Sequence, residues 1–279
     1  MAKACLGQAG MRRTQYLPFT YVAYTTYMPA SYTHHLVAKK TLALLPKSAR
    51  KAIQPHLPLY FFGAQGADFC FFYPVLGGFS QNLGSYLHRK GGFPAFKVCK
   101  TLSVQAPIFA YSLGYITHYA TDVVFHPFIY QKTGKSPLRH TRLENALDKY
   151  FKSTVENNQA EQETDAYFRA KLTAKDKETL FFLYTAICAR IGFPPLEKKP
   201  FFRAISLFNA YLLPSSKLFS IKSVKLVRSV ATQADSLYEK ALQQSETLCN
   251  VFLESIKKKT PLSCEIFGKS YLTGQLPTV

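Results

Sequence analysis

Only three acidic residues, Asp68, Asp122 and Glu144, occur in the first 147 positions, and each stands with histidines at a spacing that suits a metal ion. The densest stretch reads His118-Tyr-Ala-Thr-Asp122-Val-Val-Phe-His126-Pro127, followed by His140-Thr-Arg-Leu-Glu144, with Asp68 and His88 upstream. A helix advances about 100° per residue, so residues four apart lie nearly on one face. That places His118, Asp122 and His126 in one stripe and His140, Glu144 and Asp148 in another. Imidazole and carboxylate donors together suit zinc or, less selectively, manganese and iron. Soft thiolate sites are not indicated, because none of the six cysteines belongs to a Cys-x-x-Cys pair. Asp122 falls in an otherwise uncharged run, Thr101 to Phe125, where burying it without a cation is costly.

Asp68 and His88 are weaker signals taken singly. Asp68 follows Gly63-Ala-Gln-Gly66-Ala and could cap a helix, while His88 near a helix end could answer the helix dipole. Their company raises both as ligands.

Helical elements must position these donors. The run from Thr101 to Phe125 has the length of a membrane span, yet Gln105, Ser112, Thr117, His118, Thr121 and Asp122 are too polar for lipid contact, so it reads as the buried central helix. Pro127 disfavours helical geometry at His126 and marks its end. Further helices are expected over Ser31–Leu45, Gln81–Lys90 with a stop at Gly91 and Gly92, Leu138–Thr154, Lys175–Arg190, Phe201–Leu213 and Ser215–Lys259, the last needing a bend or break. Alternating strand patterns are scarce. The fold class is therefore all-α. Residues 1–27 are expected to be an amino-terminal extension outside the fold, 28–155 the metal-binding helical core, and 156–279 a carboxy-terminal helical region packed on it.

A hydrophobic fraction of 47% against 18% charged residues argues for a globular chain and against disorder. The formal net charge of +19, most of it in the first half, favours anionic partners: phospholipid headgroups, a membrane surface, nucleic acid or phosphorylated metabolites. Lys222, Lys225 and Arg228 recur opposite Ile221, Val224 and Val227, which reads as a solvated helix face or a membrane-docking stripe. The scattered cysteines suit reduced, mostly buried thiols, and Leu17 to Tyr27 is too polar for a signal core, so a cytoplasmic location, with or without membrane association, is expected.

Thr33-His34, the Gly-Ala-Gln-Gly-Ala-Asp loop ending at Asp68, Tyr86-Leu-His88, His118-x-x-x-Asp122 with His126-Pro127, and His140-x-x-x-Glu144 form an ordered set that resembles the zinc-dependent phospholipase C family, related in fold to fungal single-strand-specific nucleases. The resemblance covers roughly residues 28–150 and implies a multi-helical bundle. It assigns one zinc to Asp68, His88, His118 and Asp122, and a second to His126, His140 and Glu144. A third zinc in that family takes a histidine of the first helix, the shared aspartate and a free amino-terminal residue. Here His34 and Asp122 would supply the first two, whereas the chain has no tryptophan to match the family's amino-terminal one. His34 is preferred to His35 because it shares a helix face with Ala38, Leu42 and Leu45, while His35 lines up with Lys39. His56, between two prolines, reads as structural or exposed.

The implied activity is phosphodiester hydrolysis, phospholipase C-like, in which zinc makes water a nucleophile near neutral pH for in-line attack on phosphorus. Asp68 is the candidate catalytic residue, either orienting the water and taking its proton or only bridging metals. The aromatic run Phe69-Cys-Phe-Phe-Tyr73 suits core packing or an acyl or headgroup pocket. A nuclease on the same fold and a metal-stabilised scaffold without turnover are the alternatives, since fold kinship does not settle substrate.

Overall fold

Helices make up all regular secondary structure among residues 31–74, 82–134, 136–156, 171–212 and 223–276, the part of the chain that the computed structural model describes. Helix α1 (Ser31–Leu44) is held at its start from outside: the Asp148 carboxylate accepts from the Tyr32 amide at 3.0 Å and from the Thr33 amide and hydroxyl at 2.8 Å each. First-turn amides lack intrahelical acceptors, and here a distant side chain satisfies them. Helix α2 (Lys47–Ile53) follows Pro46, and a short 3-10 turn, Gln54–His56, leads into α3 (Leu57–Gly63), whose first turn contains Pro58.

A loop then reaches the 3-10 turn Asp68–Phe72. Helix α4 (Leu83–Tyr86) is capped by Asn82, whose side chain accepts from the Ser85 amide at 2.8 Å. It runs through a wide π-type turn, Leu87–Gly91, straight into α5 (Gly92–Leu102). The stop expected at Gly91 and Gly92 is thus absent. A Cβ on Gly92 would meet the Tyr271 ring at 2.7 Å, so this glycine serves a close approach instead of a terminus.

Helix α6 (Ala106–Thr133) is the axis of the molecule, with α1, α3, α5, α7, α8 and α10 all packing against it: α7 (Pro137–Glu156), α8 (Ala174–Ile191) and, after α9 (Lys198–Tyr211), α10 (Ser223–Lys257). Its contact with α3 is close because glycines face it. A Cβ on Gly114 would fall 1.9 Å from the Tyr60 carbonyl oxygen, and one on Gly63 2.3 Å from that of Tyr111. Pro127 lies inside α6, not at its end. The proline removes one amide, the partner of the Val123 carbonyl, and the helix continues regardless to Gly134, which has φ +59°.

After α10 comes the short helix α11 (Cys264–Phe267) and a turn closed by Ser270 N–H to Gln275 O at 2.7 Å and Gly274 N–H to Ser270 O at 2.9 Å. Of the expected helix Ser215–Lys259, residues 215–222 lie outside the described part; over Ser223–Lys257 α10 is one helix without the expected break. Residues 1–30, Lys222 and the side chains of Lys225 and Arg228 also lie outside it. Among the described residues no helix is long and apolar enough to cross a membrane.

Two hydrophobic clusters result. The larger gathers Tyr60, Phe62, Phe69, Phe96, Tyr111, Tyr115, Tyr184 and Phe201; the smaller gathers Leu36, Phe125, Ile129, Leu143, Leu147 and Phe151. α6 contributes to both, and His118, Asp122 and His126 lie where it passes from one to the other. The run Phe69–Tyr73 is core, with Phe69 packed on Tyr184 and Phe201, although Phe71 is only half-buried. Cys70, Cys99, Cys188 and Cys249 are buried free thiols, and Cys264 is free and exposed.

Candidate metal centre

Five elements bring His34, Asp68, His88, His118, Asp122, His126, His140 and Glu144 into one buried region, each at most 2% exposed. α6 supplies three of them at i, i+4, i+8, α7 supplies His140 and Glu144 at i, i+4, α1 supplies His34, and the loop and turns before α5 supply Asp68 and His88. Asp122 is the hub. Its Oδ1 lies 3.2 Å from His34 Nε2 and 3.8 Å from His126 Nδ1; its Oδ2 lies 3.2 Å from His118 Nε2 and 3.7 Å from His88 Nε2. Asp68 Oδ1 is 3.0 Å from His88 Nε2 and 3.7 Å from His118 Nε2. Glu144 Oε1 is 2.7 Å from His140 Nε2 and 3.6 Å from His126 Nε2.

Among the described residues, three sets have ligand atoms all within 4.8 Å of one another and could each hold a metal: Asp68, His88 and His118; His126, His140 and Glu144; His34, His118 and Asp122. Tautomer geometry supports that use. A carbonyl only accepts, so His88 Nδ1–H donates to Gly84 O at 2.7 Å and His126 Nδ1–H to Tyr271 O at 2.9 Å, leaving each Nε2 as a lone pair. At His88 that lone pair faces a carboxylate oxygen 3.0 Å away, an arrangement that calls for a cation or proton between them. Asp68 Oδ1, His88 Nε2, His118 Nε2, Asp122 Oδ2 and both Glu144 oxygens are buried with no hydrogen-bond partner. Buried polar atoms are rarely left so, and a divalent cation is what this donor chemistry fits.

Burial dominates the electrostatics of the α7 pair. It pushes the Glu144 carboxyl up to about 8 and the His140 imidazole down to about 4, so their 2.7 Å contact is not an ion pair at neutral pH. Around Asp122 the balance is opposite. Burial pulls the His34 imidazole down, yet Asp122 beside it outweighs this and raises it; burial likewise opposes ionisation of Asp122, yet His118 and His126 hold it well below the usual carboxylate range.

The Asp68 loop is fixed from several sides. Gly66 has φ +56°, and a Cβ there would strike the His118 ring at 2.0 Å. The Gly66 carbonyl accepts from Tyr111 Oη at 3.0 Å, and Gln65 Nε2 donates to Ser31 O at 3.2 Å.

Other residues go elsewhere. His35 is buried and stacks on Phe61 with ring centroids 4.6 Å apart. His56 is half-buried in its 3-10 turn. Asp148 shares the α7 stripe but caps α1, which sets the height of His34. Tyr271 escaped the sequence reading altogether: a lone tyrosine far from the ligand motifs carries no periodicity or spacing that points to the centre.

Searches of curated proteins and of solved structures return no match. Residues 33–191 match the profile of a family described as zinc dependent phospholipase C.

Proposed function

The chain thus belongs to the zinc-dependent phospholipase C family, and from that premise we propose that it cleaves the phosphodiester of a phospholipid at a centre of two zinc ions, with room for a third. One zinc is assigned to Asp68, His88, His118 and Asp122, another to His126, His140 and Glu144, and the third to His34 and Asp122 with a further ligand. The observation that carries this is the convergence on Asp122 of buried imidazoles and carboxylates, with Asp68 Oδ1, His88 Nε2, His118 Nε2 and Asp122 Oδ2 among the atoms that lack hydrogen-bond partners. Bound zinc would supply Lewis acidity that polarises phosphoryl oxygens and makes water nucleophilic near neutral pH.

The residues themselves do the positioning. α6 holds His118, Asp122 and His126 on one rigid edge, and Asp68, fixed by its loop, takes the proton of the attacking water. The half-buried Phe71 ring, 5.0 Å from His88, offers an apolar contact beside the reacting groups. Residues 28–155 would form the metal-binding core, with 156–279 packed on it through α10 against α1, α6 and α7.

Charge supports an anionic interface. The only acids ahead of Glu156 are Asp68, Asp122, Glu144 and Asp148, of which three are buried in the centre and the fourth, part-exposed, caps α1, so the charge that the described residues of this half present to solvent is strongly cationic. Peripheral contact with an anionic membrane follows from that distribution. Nucleic acid would be drawn by the same charge.

Elemental analysis of the unmodified protein and of His118→Ala and Glu144→Ala tests the centre: about two or more zinc ions are expected in the first and fewer in the variants. Near-zero zinc in the unmodified chain removes the proposal. Turnover of phosphatidylcholine, single-stranded DNA and a generic phosphodiester, with chelator controls, then separates lipase from nuclease. A zinc-replete sample that turns over none of them is a scaffold.

A further inference from the structure

The residues after 191, outside the family match, include a turn that touches the centre directly. Tyr271 N–H donates to the His88 carbonyl at 3.1 Å, and the Tyr271 carbonyl accepts from His126 Nδ1–H at 2.9 Å. Its fully buried ring lies 4.9 Å from the His88 ring and 5.9 Å from that of His118, and its hydroxyl donates to Tyr115 Oη at 3.0 Å. The turn is docked at both ends. Tyr119 Oη accepts from the Lys269 amide at 2.9 Å, and Gly274 sits where a Cβ would meet the Val123 carbonyl at 2.8 Å and the Pro127 ring at 3.3 Å.

We propose that the turn Ser270–Gln275 forms a wall of the metal centre and that Tyr271 is its positioning residue, holding one histidine from each of two ligand sets. The inference rests on the zinc reading above. Its physical basis is that a ligating imidazole depends on the partner of its other ring nitrogen for tautomer and orientation, and such partners are commonly worth about 10–100-fold in metal affinity. Tyr271 gives His126 that partner and bonds the backbone of His88, so one residue sets the separation of the two. Gly92 and Gly274, the glycines facing it and within it, leave the space that lets the turn lie this close.

Zinc affinity by chelator competition and the visible absorption of the cobalt(II)-substituted protein test this on the full chain. Tyr271→Ala loosens the ring contacts, and Gly274→Val pushes the turn off α6. Both are expected to weaken zinc binding about 10–100-fold and to change the cobalt spectrum, while Tyr271→Phe, which loses only the bond to Tyr115, stays close to the unmodified protein. Unchanged affinity and spectrum in folded Tyr271→Ala and Gly274→Val overturn the proposal. If one variant does not fold, the other decides. Loss of fold in both that excess zinc reverses supports it, and loss that zinc leaves unchanged marks the turn as merely structural and overturns it. An unmodified chain that binds no zinc removes the zinc reading and this inference together, a result distinct from variants that bind as the unmodified chain does.

Discussion

Replacing Asp148 with alanine removes three hydrogen bonds at once: those from the Tyr32 amide, the Thr33 amide and the Thr33 hydroxyl. Loss of an ordinary capping side chain costs about 0.5–2 kcal/mol. Tyr32 and Thr33 are only 5% and 3% exposed, so their amides cannot turn to bulk water when the carboxylate goes. A buried donor left unmet costs about 1–3 kcal/mol, and with two amides stranded a loss of about 3 kcal/mol is expected for Asp148→Ala. Burial pushes the Asp148 carboxyl up to about 6, which means the environment disfavours its charge. A neutral isostere is therefore tolerated better: Asp148→Asn would keep the acceptor facing Thr33 and lose the one facing Tyr32, for about 1 kcal/mol. Urea unfolding monitored by circular dichroism gives both numbers. The reasoning is refuted if Asp148→Ala lies within about 0.5 kcal/mol of the unmodified protein, the range of an ordinary surface change, or if Asp148→Asn is the worse of the two.

Gly66→Ala drives a methyl into the His118 ring and forces φ +56° on a residue with a Cβ, so zinc content should fall even where the fold survives; elemental analysis showing full zinc would contradict the close approach. Glu144, raised from 4.5 to about 8, binds its proton more tightly folded than unfolded, so the metal-free fold loses stability as pH climbs through that window. Over the same window the proton ceases to compete with metal, and zinc affinity measured between about pH 6 and 8 should rise by up to about tenfold per unit; a flat profile would count against the burial argument. Co-sedimentation should show binding to anionic vesicles that weakens steeply with salt and little binding to zwitterionic ones, and equal binding to both would remove the charge argument.

The chemistry was more legible than the path of the chain. Histidines and acids at four-residue spacing report a shared helix face wherever a helix forms, and the shortage of other acids made Asp68, Asp122 and Glu144 conspicuous. Breaker residues misled. Pro127 removes one hydrogen bond from a helix that packing supports along its length, and Gly91 and Gly92 stand at a wide turn where the backbone stays helical. What His35 does instead of ligating was not legible: it is buried against the Phe61 ring, and such a contact has no signature in local spacing. Tyr271 was invisible for the same reason at longer range: its part in the centre is played by backbone atoms, which every residue has, and by ring contacts across 145 or more positions, which leave no mark in local spacing.

The order in which the chain is made sharpens the role of that last wall. Tyr271 follows Glu144, the last of the eight donors, by 127 residues, a length a ribosome takes on the order of ten seconds to synthesise. All eight donors emerge before it. During that interval they stand without one side of their enclosure, so a cation delivered to the growing polypeptide meets a more open cluster than the finished protein presents.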